Sequence, residues 1–221
     1  MKIEFLGTGA ADFPKEWCEG YRRTASALID DTILIDPGPW VIDAITQMDI
    51  DPKRIKYVLN THRHEDHFDE SALTFLCSHG AEFIEVAAGN TITLDGYRID
   101  GLRANHTIPC VHFIIERDEK RMFYGLDGAW LLYEEIDAIW RRGIDLAVFD
   151  ATIGFIDGDW RIFEHNNLNM VLEMKKSLKD SVKRYVISHM AYTLHTDHKT
   201  LEEEMKKHDI TVAYDGLVIE F

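Results

Sequence analysis

Cysteine is scarce in this chain. Of 221 residues only Cys18, Cys77 and Cys110 are cysteines, an odd number with no CxxC pair, which fits free thiols in a reducing cytoplasm better than a disulfide framework. Positive charge is also short. Lys and Arg number 24 against 39 Asp and Glu, a formal net charge of −15. A phosphate backbone or an anionic lipid surface selects for Lys and Arg, so neither nucleic acid nor a membrane is expected as a partner. A small anionic substrate stays open, because bound cations reverse the local field. No apolar run reaches the length of a membrane span, and Met1 to Gly7 enter a strand pattern with no basic stretch or cleavage site, so no signal peptide is expected. Repeats, low-complexity tracts, linkers and composition breaks are all missing, and the expectation is one cytoplasmic domain over residues 1–221.

What the chain has in abundance is concentrated in one stretch. Thr61-His62-Arg63-His64-Glu65-Asp66-His67 places four potential metal ligands, His62, His64, Asp66 and His67, within six residues. The apolar run Ile55, Tyr57, Val58, Leu59 reads as a buried strand and Phe68, Ala72, Phe75, Leu76 as a helix, so the histidines sit on the connection between them. On an extended segment His62 and His64 project to one side, while Asp66 and His67 lie where the chain turns into the helix. Three imidazoles and a carboxylate held this close repel one another when protonated. With a cation they supply the N and O ligands that Zn, Mn or Fe accept.

Elsewhere the pattern alternates strands with helices. Ser26 to Ile29 and Thr32 to Ile35 flank Asp30-Asp31 as a hairpin, and Asp36 ends its second strand. A short helix follows Pro39, and the helix after the His-rich loop closes at His79-Gly80, where His79 reads as a partner of the helix C-terminus. Glu82 to Tyr124 reads as short strands, with His112 inside one of them as a structural residue. A helix carrying Leu131, Leu132, Ile136, Ile139 and Trp140 stops at Arg141-Arg142-Gly143, and Ile144 to Phe149 is a buried strand ending in Asp150. A helix with Val171 and Leu172 inward, a strand over Tyr185 to Ser188, a charged helix near Lys199 to Lys207 and a closing hairpin about Asp215-Gly216 complete the chain. Strands and helices grouped in two halves suggest two sheets face to face with helices outside.

The spacing His-x-His-x-Asp-His resembles the signature of the metallo-β-lactamase fold hydrolases, and the later ligands of that family have counterparts here in the right order. They are His106 in Arg103-Ala104-Asn105-His106-Thr107, Asp127 in Tyr124-Gly125-Leu126-Asp127-Gly128, and His189 in Val186-Ile187-Ser188-His189-Met190. The resemblance implies a four-layer αββα sandwich of two mixed β-sheets with outer helices. It implies two divalent metal ions per chain, Zn, Mn or Fe. His62, His64 and His106 would hold one, Asp66, His67 and His189 the other, with Asp127 between them. Asp36 would lie beneath the loop and orient a ligand histidine.

A carboxylate at 127, together with Glu164-His165-Asn166-Asn167-Leu168-Asn169, Arg184-Tyr185-Val186-Ile187-Ser188-His189 and Val212-Ala213-Tyr214-Asp215-Gly216, resembles the PhnP-like phosphodiesterase and ribonuclease Z-like branch. The function expected is hydrolysis of a small or cyclic phosphodiester by a metal-bridging hydroxide, with His165, Asp66 and Asp127 as the catalytic set and His165 as proton donor or phosphate clamp. The alternatives are a lactonase or ester hydrolase on the same metals, and a non-catalytic metal-binding sensor. His195 and His198 read as surface or pocket-lining residues, Trp17, Arg22 and Arg23 as residues near the mouth of the site, and a homodimer is compatible with the sequence.

Overall fold

The computed structural model describes residues 1–12 and 21–221, so Trp17 and Cys18 lie outside the described residues. The chain forms two compact units, Met1–Glu85 with Ala213–Phe221, and Val86–Val212. In chain order the first contains β1 (Lys2–Gly7), β2 (Ser26–Ile29), β3 (Ile33–Ile35), α1 (Val41–Gln47), β4 (Tyr57–Leu59), α2 (Glu70–Ser78) and β5 (Glu82–Ile84). The second contains β6 (Thr91–Leu94), β7 (Tyr97–Arg103), β8 (Val111–Arg117), β9 (Lys120–Gly125), α3 (Tyr133–Arg142), β10 (Leu146–Asp150), α4 (Leu168–Leu178), β11 (Tyr185–Ser188), α5 (His198–Lys206) and β12 (Ile210–Val212). The last strand, β13 (Val218–Glu220), returns to the first unit.

The first unit is built on a six-stranded sheet in the order β13-β1-β2-β3-β4-β5. Strands β2 and β3 are buried on both faces, and Asp30 and Asp31 join them with φ of 46° and 56°, the two left-handed residues of a tight hairpin turn. From β3 onward the pairing is parallel, which requires a crossover between strands; α1 and α2 provide the crossovers. Val41, Ala44 and Ile45 of α1 and Ala72 and Leu76 of α2 pack with Leu28, Leu34 and Val58 in one core. Asp69 caps α2 by accepting from the Ala72 N–H at 2.8 Å, and His79 closes it, with Nδ1 2.8 Å from the Phe75 carbonyl.

The second unit is built on a seven-stranded sheet in the order β12-β11-β10-β9-β8-β7-β6, antiparallel from β6 to β9 and parallel from β9 to β12. The parallel half is all apolar where it packs, Phe123, Ala147, Phe149 and Ile187 against Ile139, Val171, Met174, Leu201 and Met205 of α3, α4 and α5. Helix α3 stops at Gly143 with φ 68°, as the Arg-Arg-Gly signal predicts.

One expectation is overturned. Residues 210–221 do not form a hairpin: β12 pairs parallel with β11, whereas β13 pairs antiparallel with β1. The Asp215 carboxylate accepts from Thr8 Oγ1 and the Arg23 N–H, both at 2.7 Å, so this turn is anchored to the first sheet. An Asp-Gly turn between two short apolar runs signals a bend in the chain but does not choose the partner strand.

Candidate metal centre

In the first unit the functional side chains come from the ends of β3 and β4. Asp36 follows β3 with φ 62° and is fully buried. Its carboxylate accepts from the Thr61 N–H at 2.7 Å, the Thr61 hydroxyl at 3.0 Å, the Asn60 amide at 3.0 Å and His67 Nδ1 at 2.8 Å. Because the Thr61 hydroxyl donates to Asp36, its oxygen accepts from His62 Nδ1 at 3.0 Å. Both imidazoles are thereby held with Nδ1 as the donor, and Nε2 is the nitrogen through which either ring could ligate a metal. The rings of His62 and His67 lie 4.4 Å apart and those of His62 and His64 4.6 Å apart. His62 Nε2 is 2.9 Å from His64 Nδ1, and His67 Nε2 is 3.4 Å from Asp66 Oδ2.

In the second unit the same construction recurs. Asp127, two residues past β9, and His189, just past β11, have φ of 58° and 59°, and His106 lies beyond β7. Left-handed backbone turns the chain sharply at these strand ends, at an energetic cost for a non-glycine residue. His106 Nδ1 donates to the Glu164 carbonyl at 3.1 Å. His189 Nδ1 donates to Thr152 Oγ1 at 2.7 Å, since the Thr152 hydroxyl itself donates to Asp150 at 3.0 Å. Both Nε2 atoms then face Asp127, His189 at 3.0 Å from Oδ1 and His106 at 3.7 Å from Oδ2.

This donor set fits divalent metal. An Nε2 lone pair turned on a carboxylate oxygen is repulsive unless a proton or a cation lies between them. Two atoms sharing one tetrahedral ion at Zn–N or Zn–O distance stand about 3.3 Å apart. The separations of 3.0, 3.4 and 3.7 Å bracket that value. Every Nδ1 tied back to protein is the partner that such a ligand needs to hold its tautomer and ring orientation.

Asp150 ends β10, is fully buried and gathers five donors on its two oxygens. Oδ1 accepts from the Asn166 N–H at 2.9 Å and the Thr152 N–H at 3.1 Å; Oδ2 accepts from the Thr152 hydroxyl at 3.0 Å, His165 Nδ1 at 3.0 Å and the Asp127 N–H at 3.2 Å. Burial acts to raise its pKa, but charge and hydrogen bonds from His165, then from His189, hold it well below the usual carboxylate range. For His165 burial acts to lower the pKa and the Asp150 carboxylate outweighs it, so the imidazole is raised. Its ring stacks on His189 at 5.5 Å between centroids and meets His106 edge-on at 5.3 Å. Donor atoms of Asp127, Asp150, His165 and His189 all lie within 4.8 Å of one another, as do those of His106, Glu164 and His165.

Sequence reasoning gave Asp150 no role. The signal was the one that singled out Asp36, a carboxylate closing an all-apolar strand. His195 Nε2 donates to the Ala151 carbonyl, 2.7 Å away, and neither it nor His198 belongs to a donor cluster among the described residues. Arg22 and Arg23 are structural: Arg22 donates to Thr8 Oγ1 and the Ala213 carbonyl, and buried Arg23 pairs with Asp43 at 3.0 Å.

Residues 22–68 match the model of the metallo-beta-lactamase superfamily. No curated protein matches the sequence. Among solved structures the chain is similar over its full length to the metallo-beta-lactamase fold protein YhfI of Bacillus subtilis, at 16% identity, 99% of that chain and a TM-score of 0.78. It is also similar to a diphosphatase of the PhnP family, at 18% identity, 97% of that chain and 0.74. For the short form of human tRNase Z the values are 18%, 99% and 0.72, and all of this chain is covered in both cases. These likenesses show the metallo-β-lactamase fold, the αββα class expected from the sequence.

Proposed function

We propose that this metallo-β-lactamase-fold chain is a binuclear metal-dependent hydrolase, a phosphodiesterase acting on a small or cyclic phosphodiester. In this reading the two units act together as one domain. His62, His64 and His106 hold one ion, Asp66, His67 and His189 the other, and Asp127 serves both. Asp127 supports this by turning one oxygen to His106 and the other to His189. Two divalent ions there would provide a water of lowered pKa and offset the charge that develops on the transferring phosphoryl group.

The observation that carries the choice of a phosphodiester is His165. Its Nδ1 is engaged by Asp150, so Nε2 is the nitrogen that can reach a substrate, and the raised pKa keeps the ring protonated over more of the neutral range. As the P–O bond to the leaving group breaks, the electron pair goes to oxygen and His165 Nε2 gives it a proton. A positioned general acid of this kind contributes about 10²–10⁴ in rate. The net charge of −15 favours a small substrate over a nucleic acid chain, and a cytoplasmic location fits the free thiols. Among the described residues no helix is long and apolar enough to cross a membrane.

The test is hydrolysis of bis(p-nitrophenyl) phosphate, a p-nitrophenyl ester and a lactone by apoprotein reloaded separately with Mn and Zn. Diester turnover confined to loaded protein is expected. Lactone turnover without diester turnover would replace this reading by a lactonase, and silence on all three at full metal occupancy would favour a sensor. His165→Ala should keep two metals and lose rate; full activity in that variant would remove His165 from the mechanism.

A further inference from the structure

The proposed mechanism does not use His112, although it is 1% exposed and makes two strong contacts near the start of β8. Its Nδ1 lies 2.5 Å from Glu135 Oε1 and its Nε2 3.1 Å from the Leu126 carbonyl oxygen. A carbonyl oxygen only accepts, so Nε2 carries a proton. Glu135, fully buried at the start of α3, accepts the Leu132 N–H at Oε2, 2.7 Å away. A carboxylate that takes an N–H at the positive end of a helix is favoured in its charged form. Nδ1 is then a donor too, and the ring is an imidazolium. Both distances are those of hydrogen bonds.

The Leu126 carbonyl belongs to the peptide whose N–H is that of Asp127, and this N–H donates to Asp150 at 3.2 Å. One peptide plane is therefore held at both ends, by His112 on its oxygen and Asp150 on its hydrogen. Its rotation sets the φ of the next residue, Asp127, which stands at 58°. The neighbouring glycines make the contact physically accessible. A Cβ on Gly128 would lie 2.8 Å from His112 Cε1 and 2.9 Å from Nε2, and one on Gly125 would lie 3.3 Å from Nδ1 and 2.4 Å from the Phe123 ring. Gly-Leu-Asp-Gly thus leaves space on both sides of Asp127 for an imidazole beneath it.

We propose that His112, held as an imidazolium by Glu135, is a positioning residue that clamps the Leu126–Asp127 peptide and so aims the Asp127 carboxylate between its two metal-side histidines. The bridging role of Asp127 rests on the metal-centre reading above; the clamp itself does not. In support, burial acts to lower the His112 pKa, but Glu135, by charge and then by hydrogen bond, outweighs it and raises the pKa.

The experiment has two arms. In wild-type apoprotein labelled with nitrogen-15 at histidine, His112 should show both ring nitrogens protonated at about pH 8, where exposed imidazoles are neutral. An unprotonated Nδ1 or Nε2 would overturn the proposal. In the second arm His112→Phe is combined with Glu135→Gln, so that no lone charge is buried and the Gln carbonyl can still take the Leu132 N–H. This variant should melt cooperatively, show a displaced Asp127 amide resonance as apoprotein, and bind Zn about 10–100-fold more weakly than wild type. An unmoved Asp127 amide would overturn the clamp, and so would Zn affinity equal to wild type in a protein that binds Zn. Should the double variant not fold, the nitrogen-15 arm decides by itself. If wild-type protein takes up no metal, the metal-centre reading falls, while the ring and amide resonances still judge the clamp.

Discussion

Asp150→Asn exchanges one oxygen for an NH₂ group and tests how the second unit works. The two oxygens of Asp150 are not equivalent. Oδ1 serves two backbone donors, Thr152 and Asn166, which cannot reverse. Oδ2 serves the Thr152 hydroxyl and His165 Nδ1, which can, together with the Asp127 N–H, which cannot. The amide NH₂ therefore settles at the Oδ2 position, His165 turns to its neutral Nε2–H tautomer, and the Asp127 N–H is left facing a donor. One buried unsatisfied donor costs about 1–3 kcal/mol, to be read from urea melts of apoprotein. Loss of the carboxylate that favours the protonated form of His165 should remove about 10²–10⁴ in rate wherever the leaving group needs a proton. The assay compares a nucleoside cyclic phosphate, which releases an alkoxide, with bis(p-nitrophenyl) phosphate, which releases a weakly basic phenolate, both at saturating metal. A large loss on the first and a small loss on the second is expected. Equal losses on both at wild-type metal content would refute proton donation by this pair, and an unchanged melt would refute the hydrogen-bond argument.

Further outcomes follow from other parts of the molecule. Asp100 and Glu116 have folded pKa values below their unfolded ones: Asp100 because hydrogen bonds from Thr91 and then Arg142 overcome burial, Glu116 chiefly through Arg121 and then Arg142. Their stabilisation is present above the unfolded values of 3.8 and 4.5 and is lost as pH falls through the folded ones. Arg142→Ala should therefore lower stability at neutral pH and converge with wild type in strong acid, as followed by circular dichroism. Gly38→Ala would place a Cβ 2.4 Å from the Asp66 carbonyl oxygen and 3.0 Å from Thr24 Oγ1. It should cost about 1–3 kcal/mol by overpacking and weaken metal uptake through the displaced Asp66-His67 turn, measurable by metal analysis after dialysis. Chelation should lower the thermal midpoint, since free metal at about 100 times its Kd stabilises by about 2.7 kcal/mol; calorimetry with and without chelator reads the difference.

Much of the candidate centre was legible because its chemistry is local. Four potential ligands in six residues, 62–67, need no tertiary information to suggest a cation. The positions of His106, Asp127 and His189 beyond apolar runs were readable because a buried strand ends where polar residues resume. The positive φ values at Asp30 and Asp31 are those that an Asp-Asp pair between two short strands implies. What was not legible depends on partners distant in sequence. Asp150 carries its role through Asp127, His165 and Asn166, 15 to 23 residues away. His112 meets Glu135 and Leu126 only when β8, β9 and α3 pack together. The terminal runs 210–213 and 217–221 were paired with each other because nearest neighbours usually pair, but each found a longer-range strand in a different sheet.

The two units use one device twice, and the difference between the copies bears on mechanism. In the first, Asp36 at a strand end binds Thr61, Asn60 and His67. In the second, Asp150 at a strand end binds Thr152 and Asn166, and Thr152 in turn holds His189. In both, a buried carboxylate and a threonine hydroxyl engage imidazoles at Nδ1 and turn Nε2 away from that network, which is what metal ligation asks of a supporting shell. If Asp150 did nothing more, the second unit would need no further group, yet His165 is joined to the same Oδ2 and stacked on His189. Two supporting carboxylates explain how ligands are held, and the added imidazole explains why the chain should do more than bind metal. On the reading proposed above, the extra histidine beside one of them serves proton transfer to the leaving group, which a protein that only stored or sensed metal would not need.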